Sequence, residues 1–338
     1  MKIERNFSLE HMNSFRLPIK TRMFVEYGNE TELKQILLDD YFCQQRYLHI
    51  GRGSNLLFLN DFDGIVLHSA IKGITPVEET DDNVLIHVGA AELWDDVVTY
   101  AVDKGWGGIE NLSLIPGETG AAAVQNIGAY GVEIKDVIET VEAFNRQTAE
   151  KRIFSKEACR YDYRTSLFKE TLQDLYILTG VTLRLQKKPV FMLNYEDLRK
   201  ILGSFESVTL RTVREAVINL RRQKLPDPDV LGNAGSFFMN PVVSHEKLTQ
   251  LMKQYPAIPF FPFHGETVKL SAGWLIEQCG LKGKRFGSAG IHERHALVIV
   301  NYDGTTGHDI SSLAAHIRDT VNRRFDVLLV PEVRFVGF

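Results

Sequence analysis

Cysteine is scarce in this chain: Cys43, Cys159 and Cys279 are the only three among 338 residues. Three widely spaced thiols cannot make a dense disulfide framework, and their spacing lacks a zinc-ribbon pattern, so a reducing compartment fits best. Long apolar runs are also missing. No stretch approaches the ~18 apolar residues of a membrane span, and the opening MKIERNFSLEHMNSF is interrupted by charged and polar residues instead of carrying a signal-peptide core. Nor does one sign of charge dominate: 39 Lys and Arg stand against 43 Asp and Glu, a formal net charge of -4. That balance supplies no global basic surface for nucleic acid, while leaving room for a local anion site. The expectation is a cytoplasmic protein with no membrane insertion and no nucleic-acid partner.

What is present is an ordinary folding composition, 44% hydrophobic and 24% charged, which leaves little support for global disorder. At ~150 residues per domain the length predicts about two structural units. Extended segments at 24–27, 47–59, 83–90, 137–144 and 175–185 alternate with helical patterns at 31–38 and 91–105, so the first part reads as a mixed fold. A helix-like stretch before Lys224 gives way to the Pro/Gly-rich LPDPDVLGNAG, which predicts a boundary near 224. The later helical patterns HEKLTQLMKQY, SAGWLIEQC and SSLAAHIRDTVNRRF fall in a smaller second part. The final DVLLVPEVRFVGF carries two apolar runs around Pro331 and is expected to return as a terminal strand toward the first part.

Two glycine-rich segments carry the first functional signal. Gly51-Arg52-Gly53-Ser54-Asn55 lies between two apolar runs, where glycines let successive N–H groups turn inward on a pyrophosphate. Ile115-Pro116-Gly117-Glu118-Thr119-Gly120-Ala121-Ala122 followed by Gln125-Asn126-Ile127-Gly128-Ala129-Tyr130-Gly131 adds small residues that permit close backbone approach. Either segment alone also reads as a strand-connecting turn. Neither is a P-loop, and neither is the GxGxxG of a dinucleotide-binding Rossmann unit. Tyr130 reads first as packing, with its hydroxyl a weaker ligand.

Chemistry beyond binding points to three places. Arg164, in Tyr163-Arg164-Thr165-Ser166, has the geometry to grip a carboxylate, although a structural salt bridge is the ordinary alternative. Ser236, in Gly235-Ser236-Phe237-Phe238, follows a small residue that can expose its hydroxyl, with the two phenylalanines expected either to wall a pocket or to form a packed turn. Glu332, in Val330-Pro331-Glu332-Val333, serves as a proton donor only where its surroundings control its ionisation. Cys159 is expected to pack.

The ordered set GRGSN, LSLIPGETGAAAVQNIGAYGVEI, CRYDYRTS, LPDPDVLGNAGSFFMNP, SAGWLIEQCGLKG and VPEVRF resembles the UDP-N-acetylenolpyruvoylglucosamine reductase family over essentially the whole chain. The resemblance implies an α+β fold: a two-part FAD-binding domain of the vanillyl-alcohol-oxidase/p-cresol-methylhydroxylase type over 1–224, with internal subdomains 1–67 and 68–224. A smaller α/β C-terminal substrate domain over 225–325 and a terminal segment 326–338 returning toward the active site complete it. It implies noncovalent FAD on Gly51, Arg52, Gly53, Ser54, Asn55, Ile115, Pro116, Gly117, Thr119, Gly120, Ala121, Ala122, Gln125, Asn126, Gly128, Tyr130 and Gly131. Arg52 matters there through its backbone more than its guanidinium.

The family chemistry is NADPH-dependent reduction of UDP-N-acetylglucosamine enolpyruvate to UDP-N-acetylmuramate, with hydride delivered to C3. Ser236 would then protonate C2 while Arg164 and Glu332 stabilise the enol-like intermediate. Tyr195 resembles the tyrosine of the form with an additional substrate-covering loop; Lys224, Asn240, Lys282 and His295 match positions expected on the substrate. Met239 replaces a lysine common in the family's FFKNP form, and His295 replaces a frequent glutamine. A monomer with no obligate protein partner is expected. A related FAD oxidase and a noncatalytic flavin- or nucleotide-binding regulator are the competing readings.

Overall fold

The computed structural model describes residues 1–337. Phe338, the last residue of the anticipated terminal segment, lies outside the described residues. The chain divides into two compact units, one made of Met1–Phe7, Lys20–Gly53 and Phe62–Gln223, the other of Ser8–Ile19, Ser54–Asp61 and Lys224–Phe338.

The first unit contains two main sheets, besides the short pair Gly128–Ala129 and Val132–Glu133. In the smaller, strands run in the order Lys2–Ser8, Lys20–Tyr27, Phe62–Ser69, Tyr47–Ile50. Phe62–Ser69 pairs in parallel with both neighbours and is buried along nearly its whole length, which is why FDGIVLHS shows no alternation of apolar and polar residues. The crossover helix Glu30–Leu38 starts where Asn29 accepts from the Glu32 N–H (2.9 Å). It buries Leu33, Ile36 and Leu37 with Val25, Ile65 and Leu67.

The larger sheet is antiparallel throughout, in the order Lys151–Ser155, Ile138–Asn145, Tyr176–Gln186, Asn83–Gly89, Ile74–Glu79. Asn83–Gly89 alternates, and its Val84, Ile86 and Val88 meet Trp94, Val97 and Val98 of the helix Trp94–Asp103 in one core. Trp94 lies fully inside because its indole N–H reaches the Leu112 carbonyl (3.0 Å).

The second unit is built on the antiparallel order Gly232–Ser236, Val298–Asn301, Ala289–Ile291, Arg285–Phe286, with a three-stranded sheet Val242–Ser244, Thr267–Leu270, Phe260–Pro262. Helices His245–Gln254, Ala272–Gln278 and Gly307–Phe325 supply Leu248, Leu275 and Ile317 to its core.

This partition differs from the contiguous ranges expected of the sequence. Residues 8–19 and 54–61 belong to the second unit, and the terminal strand Arg334–Val336 pairs in parallel with Leu56–Phe58, itself part of that unit. The reason is packing: Phe15, Leu17, Leu57 and Leu59 are buried in the same cluster as Ile310 and Phe325. Gly307, the first residue of its helix, lies so close to the chain that a Cβ there would stand 1.9 Å from the Phe58 carbonyl oxygen. Gly307→Ala is therefore expected to lower stability by about 1–3 kcal/mol, read as a shift of the denaturant midpoint at unchanged slope.

Candidate active site

Gly51, Arg52 and Gly53 of the first glycine-rich segment meet the second segment within the first unit, whereas Ser54 and Asn55 belong to the second unit. Gly51 follows the strand Tyr47–Ile50, Gly53 takes φ +64°, and Gly117 takes φ +120° just before the helix Thr119–Gln125. A Cβ on Gly51 would lie 2.8 Å from Glu118 Oε2 and 3.6 Å from the Ala121 Cβ. The cradle is thus lined by backbone and by Gly120, Ala121 and Ala122, with no room for a side chain at Gly51. That composition fits a large, flat, phosphate-bearing group such as FAD, which needs close backbone approach at its pyrophosphate.

The side chains around the cradle are largely engaged in building it. Thr119 donates both its hydroxyl (3.1 Å) and its N–H (2.9 Å) to the Glu92 carbonyl, so it helps to hold the segment in place. Leu114, at φ +58°, is held at both ends: its N–H donates to Asp95 (2.5 Å) and its carbonyl accepts from Arg221 Nε (3.2 Å). Ile115 and Pro116 follow directly. Burial works against the charge on Asp95, but hydrogen bonds from Arg214 and Leu114 outweigh it and hold that carboxyl below the usual range. Arg52 is exposed, whereas Gly53 is buried.

Asn126 is the left-handed cap of the Thr119–Gln125 helix, at φ +46°. Its side-chain amide donates to the Asp162 carbonyl (2.7 Å) and to Glu133 (3.2 Å), and its side-chain oxygen accepts from the Lys135 N–H (3.2 Å). Arg164 is seated on the same segment. Its guanidinium donates to the Gly128 carbonyl (2.5 Å) and the Asn126 carbonyl (3.4 Å) and lies 3.6 Å from Glu133. A Cβ at Gly128 would stand 2.7 Å from Arg164 Nη1, so glycine there makes the seat. Tyr130 meets Tyr195 edge to face at 5.7 Å, and a Cβ on Gly131 would lie 3.7 Å from Tyr195 Cε2. Tyr195 is exposed at the start of the helix Glu196–Leu202.

Ser236 and Glu332 belong to the second unit: Ser236 ends the strand Gly232–Ser236, and Glu332 lies in the irregular stretch before the terminal strand that is tied to the residues just after Ser236. Phe238 bridges to Pro331, the Glu332 N–H donates to the Phe237 carbonyl (2.8 Å), and the Met239 N–H donates to the Val330 carbonyl (3.0 Å). Asn55, also in this unit, donates its side-chain amide to the Glu332 carbonyl (3.0 Å), and Ser54 accepts from Ser14 (3.2 Å). Glu332 is half-buried rather than a surface carboxylate, and Ser236 is half-buried after Gly235 at φ +68°. The possible aromatic pocket wall is corrected: Phe237 and Phe238 are buried in the hydrophobic core, the packed-turn alternative.

Among the other substrate candidates, Asn240 accepts from the Ala272 N–H (3.0 Å) and so also fixes the start of a helix. Lys282 pairs with Glu277 (3.1 Å) at the surface, and His295 Nδ1 accepts from the Leu297 N–H (3.4 Å). Lys224 is half-buried where the second unit resumes. All three cysteines are free, and burial pushes the Cys159 thiol up to about 11, consistent with packing.

Three residues escaped the sequence reading. Glu118 and His68 meet beneath the cradle at 3.1 Å, and Arg221, whose guanidinium is depressed by burial, clamps Leu114. Arg221 and Lys224 share one helix, LRTVREAVINLRRQK, whose run of arginines looks like a solvated face. Only the folded chain shows which of them turns inward.

These features define a two-domain α+β protein with an FAD-binding unit. Residues 21–150 match the family model described as FAD binding domain, and residues 227–336 match the one described as UDP-N-acetylenolpyruvoylglucosamine reductase, C-terminal domain. The chain belongs to the UDP-N-acetylenolpyruvoylglucosamine reductase family. It is 47% identical over 337 residues to the reductase of that name from Porphyromonas gingivalis, covering 99% of this chain and 100% of the relative. It is 45% identical over 334 residues to the one from Bacteroides fragilis, covering 99% and 100% respectively. The crystal structure of UDP-N-acetylenolpyruvylglucosamine reductase from Thermus caldophilus superimposes with a TM-score of 0.69 at 23% identity, covering 100% of both chains. No helix among the described residues is long and apolar enough to cross a membrane.

The Arg164 seat makes a direct prediction. Gly128→Ala is expected to displace the guanidinium from the Asn126 and Gly128 carbonyls, visible as a shifted Arg164 side chain in a crystal structure of the variant. It should also destabilise the protein by about 1–3 kcal/mol. An unmoved guanidinium would show that the local backbone can open without cost.

Proposed function

We propose that the protein catalyses NADPH-dependent reduction of UDP-N-acetylglucosamine enolpyruvate to UDP-N-acetylmuramate, a step of peptidoglycan precursor synthesis, in the cytoplasm and as a monomer. The observation that supports this reading is the Glu332 N–H donating to the carbonyl of Phe237, the residue after Ser236, in a chain of this family. FAD, held noncovalently by the first unit, supplies the carrier through which hydride from NADPH reaches C3 of the enolpyruvyl group.

The chain's own residues divide the remaining work. Ser236, at the end of its strand and after Gly235 at φ +68°, gives a proton to C2. Arg164 and Glu332 stabilise the enol-like intermediate as charge develops on its carboxylate. Arg164 suits this role because the Asn126 and Gly128 carbonyls already fix its guanidinium plane, so little reorganisation remains for the reaction.

Substrate holding falls to the polar groups. Lys224 and Lys282 face the diphosphate, Asn240 and His295 the remaining nucleotide, and Tyr195 covers the substrate. The exposed ring of Tyr195, propped edge-on by Tyr130, supports assignment to the form of the family with a substrate-covering tyrosine. Met239 in place of lysine removes one positive charge from the phosphate side, which places more of that work on Lys224.

Two measurements test the assignment. Denaturing the purified protein should release intact FAD, identified by mass; a folded, active protein without flavin would reject the cofactor role. Ser236→Ala should keep FAD and NADPH-driven flavin reduction while slowing substrate-dependent reoxidation by ~10²-fold or more. Near-wild-type reoxidation in the folded variant would remove Ser236 as the proton donor.

A further inference from the structure

Beneath the two glycine segments lies a charged cluster that takes no part in the proposed reaction. His68, on the central strand Phe62–Ser69, is 9% exposed, and Glu118, in the middle of IPGETG, is 5% exposed. His68 Nδ1 meets Glu26 Oε2 at 3.0 Å, and Nε2 meets Glu118 Oε1 at 3.1 Å. Half of this follows from register: Glu26 and His68 are partners across parallel strands, so their side chains leave the sheet on one face.

The hydrogen bonds specify the charge state. An ionised carboxylate only accepts, so two carboxylates are satisfied only when both ring nitrogens donate, which is the imidazolium. The Phe24 ring lies nearly parallel to the imidazole at 6.0 Å. On its other side Glu118 abuts Gly51, the first residue of the other glycine segment, so one carboxylate is gripped by His68 while it packs against the cradle.

A bare carboxylate at that point would repel a pyrophosphate, and within a protein of low dielectric the repulsion is not well screened. We propose that His68, as an imidazolium, is a positioning residue for the flavin: by pinning and neutralising Glu118 it allows a buried carboxylate to sit inside the pyrophosphate-binding segments. The inference rests on FAD occupying those segments.

The groups facing His68 are Glu26 on the neighbouring strand, Glu118 from the glycine segment, and the His49 ring on the other side of the central strand. Lys2 lies beyond Glu26, and Tyr27 within reach of Glu118. Burial, with the charge of His68 adding to it, holds His49 down at about 3, so His49 stays neutral and hydrogen-bonded to the Tyr27 hydroxyl (2.8 Å). For His68 burial opposes the charge, yet the bonds and charges of Glu118 and Glu26 prevail and raise its pKa. A histidine raised on folding contributes fully below its ordinary ~6.5, and its contribution is lost as pH rises through the higher folded value. FAD should therefore be held best at the acid side of neutrality and released more readily on the alkaline side.

The test is FAD dissociation on dilution of the holoprotein, followed by free-flavin fluorescence from pH 6 to pH 9. The wild-type dissociation constant should rise roughly tenfold across this range, about one tenfold step of affinity. Glu118→Gln should hold FAD with no such rise, and His68→Gln should bind weakly at every pH. The double variant, with both charges removed, should recover affinity over His68→Gln at pH 7; a purely structural role gives no such recovery. A flat wild-type profile, or a double variant no better than His68→Gln, overturns the proposal. Nitrogen shifts of His68 in the wild-type holoprotein give an independent reading should a variant fail to fold, and a neutral ring at pH 6 also overturns it. Wild-type protein that binds no FAD at pH 6 would instead sink the cofactor reading itself.

Discussion

Everything proposed for the second unit depends on the way the Glu332 backbone is held. Its N–H donates to the Phe237 carbonyl and its carbonyl accepts from the Asn55 amide, so three stretches far apart in sequence are tied at one residue. The Arg334 N–H donates to the Asn55 carbonyl, and the terminal strand then continues in parallel along Leu56–Phe58. Backbone hydrogen bonds of this kind set position more tightly than side-chain contacts do, because each fixes two peptide planes at once. Ser236 gains its place from the same ladder, one residue before Phe237.

In the first unit the equivalent constraint is backbone curvature held by side chains. Leu114, Asn126, Tyr130 and Arg164 all have left-handed φ, a conformation that non-glycine residues adopt only when their surroundings impose it. Asp95 and Arg221 impose it at Leu114; Glu133, Lys135 and Asp162 impose it at Asn126. The polar residues of the glycine-rich segments therefore serve first as scaffold. This explains why Thr119 and Asn126, attractive as ligands on paper, have their side chains engaged inside the protein.

Elements with strong periodic patterns were legible in the sequence. The helices at 30–38, 94–103, 245–254 and 307–325 and the strands at 20–27, 83–89 and 176–186 all carry the expected spacing of apolar residues. Short edge strands such as Ile74–Glu79 and Lys151–Ser155 were not, because they are largely exposed and alternate weakly. Phe62–Ser69 was obscured for the opposite reason, being buried on both faces.

By itself the sequence determined the two glycine-rich segments and the order of motifs that marks the family, since these are properties of residue type and spacing, and the resemblance those motifs carry implied the fold class. It could not determine that residues 8–19 and 54–61 belong with the C-terminal half, because that membership rests on packing between Phe15, Leu57 and residues some 250 positions away. Nor could it single out His68, Glu118 or Arg221, each an unremarkable polar residue until folding buries it beside a particular partner. Only the tertiary structure decided those pairings, because a charge acquires its role from the few ångströms around it and the chain order carries no record of that distance.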